Sequence, residues 1–410
     1  MDVASVGHAV TGVQNFSGYM YPNEFELHWG LLIVLYPYLT GLVAGAFILA
    51  SLERVFQVKV LQPVYRLSLL SALAFLLVAP MPLFAHLGHP ERALEMLWTP
   101  HLQSAMAMFG FVYAWYLLVV LLLEVWFDYR KDIVLRSRQS KGIIKYFYLL
   151  LTLGATDISE EAVRFDHKAG KLITVIGIPS AFMLHGYVGF IFGSIKANPW
   201  WSSVLMPIVF LFSALVSGMA VMILIYAASS WLRKKTMDMN CLHKLAEFLL
   251  YAMIIDFSLE MLDFIHRLYE SEESIQILGQ LVTNRLFISL IVTQIILGSI
   301  IPMIGIILAR FGKGSAGLKK VVYFLSAILV QVGIFSIRWN VVIGGQLFSK
   351  SLRGLTVYKA QLFGLEGVLV AIGLLVLPYV ILCILVKILP PWNDPEPGIQ
   401  KQDILGQRKV

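Results

Sequence analysis

The sequence predicts an all-α polytopic membrane protein: about nine transmembrane helices, arranged as two four-helix bundles in parallel pseudo-repeat plus a C-terminal helix. Three observations point there. Hydrophobic residues make up 58% of the 410 and charged ones only 14%, whereas a soluble domain carries about 25% charge. Nine stretches reach the length of roughly 20 apolar residues that a bilayer core about 30 Å thick requires of a helix. The Lys and Arg residues between those stretches fall alternately on a crowded and a sparse side.

The stretches run over about 28–52, 65–87, 104–127, 172–195, 203–232, 245–268, 286–310, 318–338 and 362–388. The connections on one side carry 24 basic residues and those on the other side 8. Basic loops stay in the cytoplasm, so the N-terminus faces the periplasm and the C-terminus the cytoplasm. Trp29, Trp98, Trp200, Trp201 and Trp339 then fall near outer ends, and Trp126, Trp231 and Trp392 near inner ends, as aromatic belts do. The domains expected are a periplasmic segment 1–27, a first bundle 28–196, a second bundle 197–340, a periplasmic docking loop 341–361, a ninth helix 362–389 and a cytoplasmic tail 390–410. Within the first bundle, 128–171 reads as a cytoplasmic loop. It carries the run IIKYFYLLLTLGA (143–155), too short to span and expected to lie at the interface or re-enter.

The net charge of +7 is spread between the apolar runs and forms no compact patch, so it reports membrane topology and not nucleic-acid binding. Arg338, Lys350, Arg353 and Lys359 crowd the last outer connection against the trend; either the loop tolerates charge or it docks an acidic partner. Two cysteines, Cys241 and Cys383, are too few for a self-contained Fe–S site. The first basic residue is Arg54, so no basic start of a cleavable signal peptide is expected. Gly41-Leu-Val-Ala-Gly45 in span one and Ala214-Leu-Val-Ser-Gly218 in span five are small-xxx-small patterns that permit close helix approach. Both spans run inward from the same side, hence the parallel repeat.

Titratable groups within apolar runs are costly and usually face a cavity or a proton route. In HGYVGF, His185 and Tyr187 sit within the outer leaflet; both side chains can hydrogen-bond a carbonyl, and His also passes protons near neutrality. His28 opens span one and His86 closes span two, so three helices of the first bundle carry an imidazole toward one side. Span six reads DFSLEMLDFIHR, with Asp256, Glu260, Asp263 and Arg267 on one helical face. That stripe is either a proton path or an ion-paired seam with Arg267 or Arg338 as counter-ion. Glu124 and Glu366 are more weakly placed and read as structural, with Glu124 kept as a further candidate on a proton path.

Several segments, in order, resemble the NrfD/PsrC family of quinone-interacting membrane subunits, and within it the membrane subunits of menaquinone reductase (Qrc) complexes. They are HLGHPERALEMLW (86–98), Tyr187-Val-Gly-Phe, Asn-Pro-Trp-Trp-Ser-Ser with MPIVFLFSALVSGMA (206–220), and RWNVVIGGQ (338–346). The resemblance covers about 25–390. It implies a subunit of the bacterial inner membrane, without haem or Fe–S cluster of its own, that binds menaquinone near its outer face. The partners it implies are a periplasmic ferredoxin-like Fe–S subunit, a molybdopterin-oxidoreductase-like subunit and a multihaem cytochrome c. The family's quinone tyrosine maps onto Tyr187. Its polar position in span one falls at Tyr36, and its acidic position after span two is His86.

The expected function is quinone reduction as part of an oxidoreductase complex. Tyr187 and His185 would hold one carbonyl, with His28, Tyr36 and His86 on the other side, and protons would arrive from the periplasm or along Asp256, Glu260, Asp263, Glu124 and Arg338. The rival readings are a haem b cytochrome using two of His28, His86 and His185, a proton-coupled transporter using the span-six acids, and a non-catalytic anchor.

Overall fold

The computed structural model describes residues 16–95, 99, 103–270 and 274–392. Most of the segment 1–27 and of the tail 390–410, together with Trp98, lies outside the described residues. The chain is all-helical apart from one two-stranded ribbon. The helices are α1 (Leu31–Arg54), α2 (Lys59–His86), α3 (Met108–Gln139), α4 (Gly142–Leu151), α5 (Glu160–Gly193), α6 (Met206–Leu232), α7 (Met239–Glu270), α8 (Ile275–Phe311), α9 (Ala316–Gln346) and α10 (Val368–Ile388). Eight of them are long and apolar enough to cross a membrane. The ninth expected span lies in α7, whose 32 residues reach far enough at 1.5 Å per residue but carry the acid stripe. This is a multi-pass integral membrane protein.

Helix ends depart from the hydropathy boundaries for a local reason. α3 continues to Gln139 and α5 begins at Glu160, so the stretch 128–171 is largely helix and not loop. Ser159 caps α5 by accepting the Ala162 N–H, and Glu160 and Glu161 lie in its first turn. Polar residues extend both helices beyond any bilayer, where hydropathy does not register them. Between them α4 has only 10 residues, about half a span. Trp126 donates its indole N–H to the Leu151 carbonyl, and Tyr148 donates to Ile388, while Ile143, Tyr146 and Leu150 are exposed. One side of α4 is thus tied to its neighbours while an apolar side stays exposed. At the other end of the sequence, α10 starts six residues after the hydropathic run, because Gly364 turns with φ +102°.

α1 and α6 form the centre. In α1 almost every residue from Leu32 to Ser51 is buried, as a helix apolar on all sides should be. The two small-residue motifs meet there. A Cβ on Gly45 would lie 2.2 Å from the Ala214 carbonyl oxygen, and one on Gly218 2.3 Å from Gly45 Cα. The two copies of the pattern thus pack on each other and join the halves of the molecule back to back. Gly298 and Gly333 repeat the device between α8 and α9. Widened turns run through Tyr116–Leu121 and Val282–Ile300; in the latter, Thr293 and Ser299 donate to carbonyls five residues back.

By the orientation that the basic residues imply, the outer end carries the ribbon: β1 (Ser17–Tyr19) pairs antiparallel with β2 (Arg353–Leu355). Two of the motifs that carry the family resemblance clasp each other beside it. Trp200 donates its indole N–H to the Asn340 carbonyl at 2.8 Å, and Trp201 donates to Val341 at 2.6 Å. Asn198 donates to Gly345, where the Trp201 indole leaves no space for a Cβ. The Pro-Trp-Trp bracket is therefore a clamp on the end of α9.

Candidate functional site

Three places in the fold gather the singled-out residues. The first is a cleft of about 450 Å³ between the end of α2 and the start of α3, lined by Leu83, Phe84, Leu94, Phe109, Tyr113 and Leu118 among others. Phe84, Leu94 and Leu118 are exposed, so it opens on the apolar flank of the molecule. Tyr113 is tied to α2 by donating to the Leu76 carbonyl. Phe109 meets the Tyr36 ring edge-on at 5.1 Å. The Tyr36 side chain is buried, and its hydroxyl has no hydrogen-bond partner among the described residues. Tyr187 is half-buried, packs in the same outer cluster as Tyr36 and Phe109, and lies within electrostatic reach of Tyr36. An orphaned buried hydroxyl is rare, and it calls for an explanation.

The second place lies between the halves. His185 is fully buried, with Nδ1 3.2 Å from Thr40 Oγ1 and Nε2 3.1 Å from Arg338 Nη2. It stacks on Phe210, and Gly41 is small enough to admit it. Arg338 is also fully buried; Nη2 donates to Ser213 Oγ at 2.6 Å, and the guanidinium lies 4.1 Å from the Phe210 ring centroid. On α7, Asp256, Glu260, Asp263 and Arg267 are all buried, so the acid stripe faces inward. Asp263 pairs with Arg267 and accepts from Ser203, and Arg267 also donates to the Trp200 carbonyl. This part of the stripe is an ion-paired seam. Glu260 accepts from Gln294 at 3.2 Å, and Gln294 accepts from Asn340 at 2.7 Å. One carboxylate oxygen each of Asp256 and Glu260 has no partner among the described residues.

The third place is the inner end. Glu124 is fully buried, with one oxygen accepting from Thr174 at 2.7 Å and the other without a partner among the described residues. Arg54 and Arg66 share Asp128 below it, beside a polar pocket of about 390 Å³ that also includes His167.

The geometry corrects four expectations. His185 and Tyr187 do not share a carbonyl: two residues apart on a helix they diverge by about 200°, and both nitrogens of His185 are already engaged. His28 does not flank Tyr36; it is exposed and lines a separate outer pocket of about 300 Å³ with Glu24, Asn198 and Lys350. His86 points at Glu366, 2.9 Å away, so it also stands apart from Tyr36 and gives Glu366 a definite partner. Arg338 belongs to no outer loop, since it is buried among the helices. With His28, His86 and His185 in three separate settings, no two of them face each other as axial ligands would. Among the described residues no group of three or more His, Cys, Asp or Glu could hold a metal ion.

Sequence reasoning missed Thr40, Phe109, Gln294 and Asn340. Thr40 had a signal, being one helical turn after Tyr36 and the only aliphatic hydroxyl in α1 before Ser51. Phe109 had none, because one more aromatic in an apolar run carries no distinguishing mark.

Comparison with known proteins agrees with this architecture. The chain is 34% identical over 322 residues to a selenate reductase subunit of Mesobacillus selenatarsenatis, a match covering 77% of this chain and 73% of that protein. It is 28% identical over 204 residues, 48% of this chain, to a protein of Halobacterium salinarum described provisionally as a membrane subunit of dimethyl sulfoxide reductase, and spans 42% of that protein's length. The family model described as polysulphide reductase, NrfD, matches residues 22–350, all the elements described above from α1 to the end of α9, and the chain belongs to that family.

Proposed function

We propose that the chain is the quinone-binding membrane subunit of a respiratory reductase complex, exchanging electrons between a menaquinone-type carrier and an Fe–S subunit docked at the outer face. The observation that carries this reading is the pairing of an apolar cleft open to lipid with a buried, unpartnered tyrosine hydroxyl behind its aromatic floor. A quinone has an isoprenoid tail that belongs in lipid and a head group whose oxygens accept hydrogen bonds. Tyr36 and Tyr187 supply donors in a site with little water, where such bonds count for more than in bulk solvent.

Reduction of a quinone takes up two electrons and two protons, and oxidation of a quinol releases them. Phenols at the head group orient it and pass protons at its oxygens. The acids Asp256 and Glu260, and Glu124 toward the inner end, are the candidate stores for those protons. The two named relatives are described as subunits of a selenate reductase and, provisionally, of a dimethyl sulfoxide reductase. Such a partner draws electrons from quinol, which favours oxidation in this chain over the reduction expected from the sequence. The molybdopterin and multihaem partners stay within this proposal as the electron-accepting or electron-donating side.

The transporter reading loses its support because Asp263 and Arg267 neutralise each other and Arg338 faces the remaining acids. The test is binding of a hydroxyquinoline N-oxide quinone analogue to the full chain in nanodiscs, alongside quinol-linked turnover of the co-purified complex. Binding that disappears in Tyr36→Phe and Tyr187→Phe, with assembly intact, is the expected result. Full binding in both variants would remove the pocket from consideration, and an absence of binding to the unaltered chain would favour a pure anchor.

A further inference from the structure

This inference rests on the quinone reading and concerns two groups outside the cleft, His185 and Arg338. A guanidinium offers only donors, so the contact from Arg338 Nη2 requires His185 Nε2 to be a bare acceptor and places the ring proton on Nδ1. The opposite neighbour is compatible with that assignment. The Thr40 hydroxyl donates toward the carbonyls of Tyr36 and Pro37, at 3.2 and 3.3 Å, which leaves its oxygen to accept from His185 Nδ1. The arginine thus sets the tautomer, and the threonine on a different helix can accept from it. The outcome is a one-way series of donors from α9 through α5 to α1, namely Arg338 to His185 to Thr40 to the peptide of Tyr36.

The end of that series is mechanically sensitive. Pro37 has no N–H, so α1 lacks one backbone bond beside Tyr36. The Thr40 hydroxyl binds the carbonyls of Tyr36 and Pro37, immediately past this gap. At the other end, Arg338 keeps Nε and Nη1 unpartnered among the described residues, with Asp256 and Glu260 in electrostatic reach. Facing His185 are Thr40 from α1, Phe210 from α6 and Arg338 from α9, and the acids of α7 stand behind the arginine.

We propose that Arg338 is a positioning residue for the quinone site: it locks His185 as the Nδ1–H tautomer and, through Thr40, holds the Pro37 segment of α1 in the register that presents the Tyr36 hydroxyl to the cleft. Arg338 and His185 touch no quinone themselves. The acids of α7 keep the guanidinium charge in place between the halves.

The experiment uses the full chain in nanodiscs with 15N-labelled histidine, the His185 signals being assigned by difference from His185→Gln. The native ring should show a protonated Nδ1 and a bare Nε2. Arg338→Met should release the ring to take either tautomer and weaken the hydroxyquinoline N-oxide by about tenfold, the scale of one lost polar contact. Arg338→Lys, which restores a donor, should recover the tautomer and most of the affinity. Thr40→Val removes the last link with little change of shape and should cost the same factor, even if Arg338→Met does not fold. An Nε2–H ring in the native protein would overturn the proposal, as would unchanged affinity in Thr40→Val. If the native chain binds no analogue, the quinone reading falls and the positioning role falls with it, while the tautomer still reports whether the lock exists.

Discussion

Apart from Glu124 and the buried pairs Arg54–Asp128 and Arg130–Asp166 at the inner end of the first half, the two halves of the molecule bury different chemistries on either side of one glycine crossing. The first half, α1 to α5, has an outer cluster that is aromatic and aliphatic, and the polar groups near its cleft are phenols together with His89 and Arg92 after α2. The second half, α6 to α9, buries two acids, an ion pair, Gln294, Asn340 and Arg338. A surface that recruits a molecule out of lipid has to be apolar, with a donor or two at its base. A charged interior has to be closed and internally paired, because each unpaired ion among helices carries a large desolvation cost. The difference fits the proposed recruitment of a carrier at the outer cleft of the first half, and His185 with Arg338 joins that half to the charged interior of the second.

That contrast can be broken most severely at the crossing. Gly45→Leu should abolish assembly, since the added side chain would begin 2.2 Å from the Ala214 carbonyl and there is no room for relaxation between two central helices. Co-purification of the partner subunits and size exclusion in detergent read this directly. The charged half is tested by Asp263→Leu, which removes the carboxylate that Arg267 and Ser203 share. A loss of about 3–5 kcal/mol is expected for one broken partner of a buried pair, measured as a fall in the detergent unfolding midpoint. A variant as stable as the parent would show that the second half does not depend on its pairing.

The first half should respond in the opposite sense. Tyr36→Phe removes a hydroxyl that has no partner among the described residues, so stability should hold or rise slightly, while quinol-linked turnover falls by about 10–100-fold through the lost bond to substrate. A loss of stability there would mean that the hydroxyl serves the fold. The smallest effect is expected at Tyr116, whose hydroxyl is equally buried and unpartnered among the described residues but lies away from the cleft, against Phe47. Tyr116→Phe should change stability by less than about 0.5 kcal/mol and leave turnover alone. A drop in turnover would extend the functional path inward toward Glu124.

Much of the fold was legible because a membrane imposes a simple rule on a chain: long apolar runs, basic residues on one side and small residues at crossings. Three features of the site were legible for related reasons. Tyr36, Tyr187 and His185 are conspicuous as polar rings in apolar helices, and the span-six acids keep one face by spacing alone. Their grouping was not legible. His185 and Tyr187 are neighbours in the chain and were read as one unit, yet the helix sends them to opposite sides. The bracket Asn198-Pro-Trp-Trp201 read as an aromatic belt, and its indoles instead hold the carbonyls of α9.

By itself the sequence determined that this protein lives in a bilayer, where most of its helices lie, and that ionisable groups are kept inside at some cost. Hydropathy and charge are local properties, additive along the chain, so they survive being read without a structure. Which of those inner groups face each other was decided only by tertiary packing: whether α1 meets α6 at Gly45, whether Arg338 reaches His185 or an outer loop, and whether a cleft opens beside Tyr36. Such contacts join residues far apart in the chain, and their direction depends on helix rotation, which no run of neighbouring residues encodes.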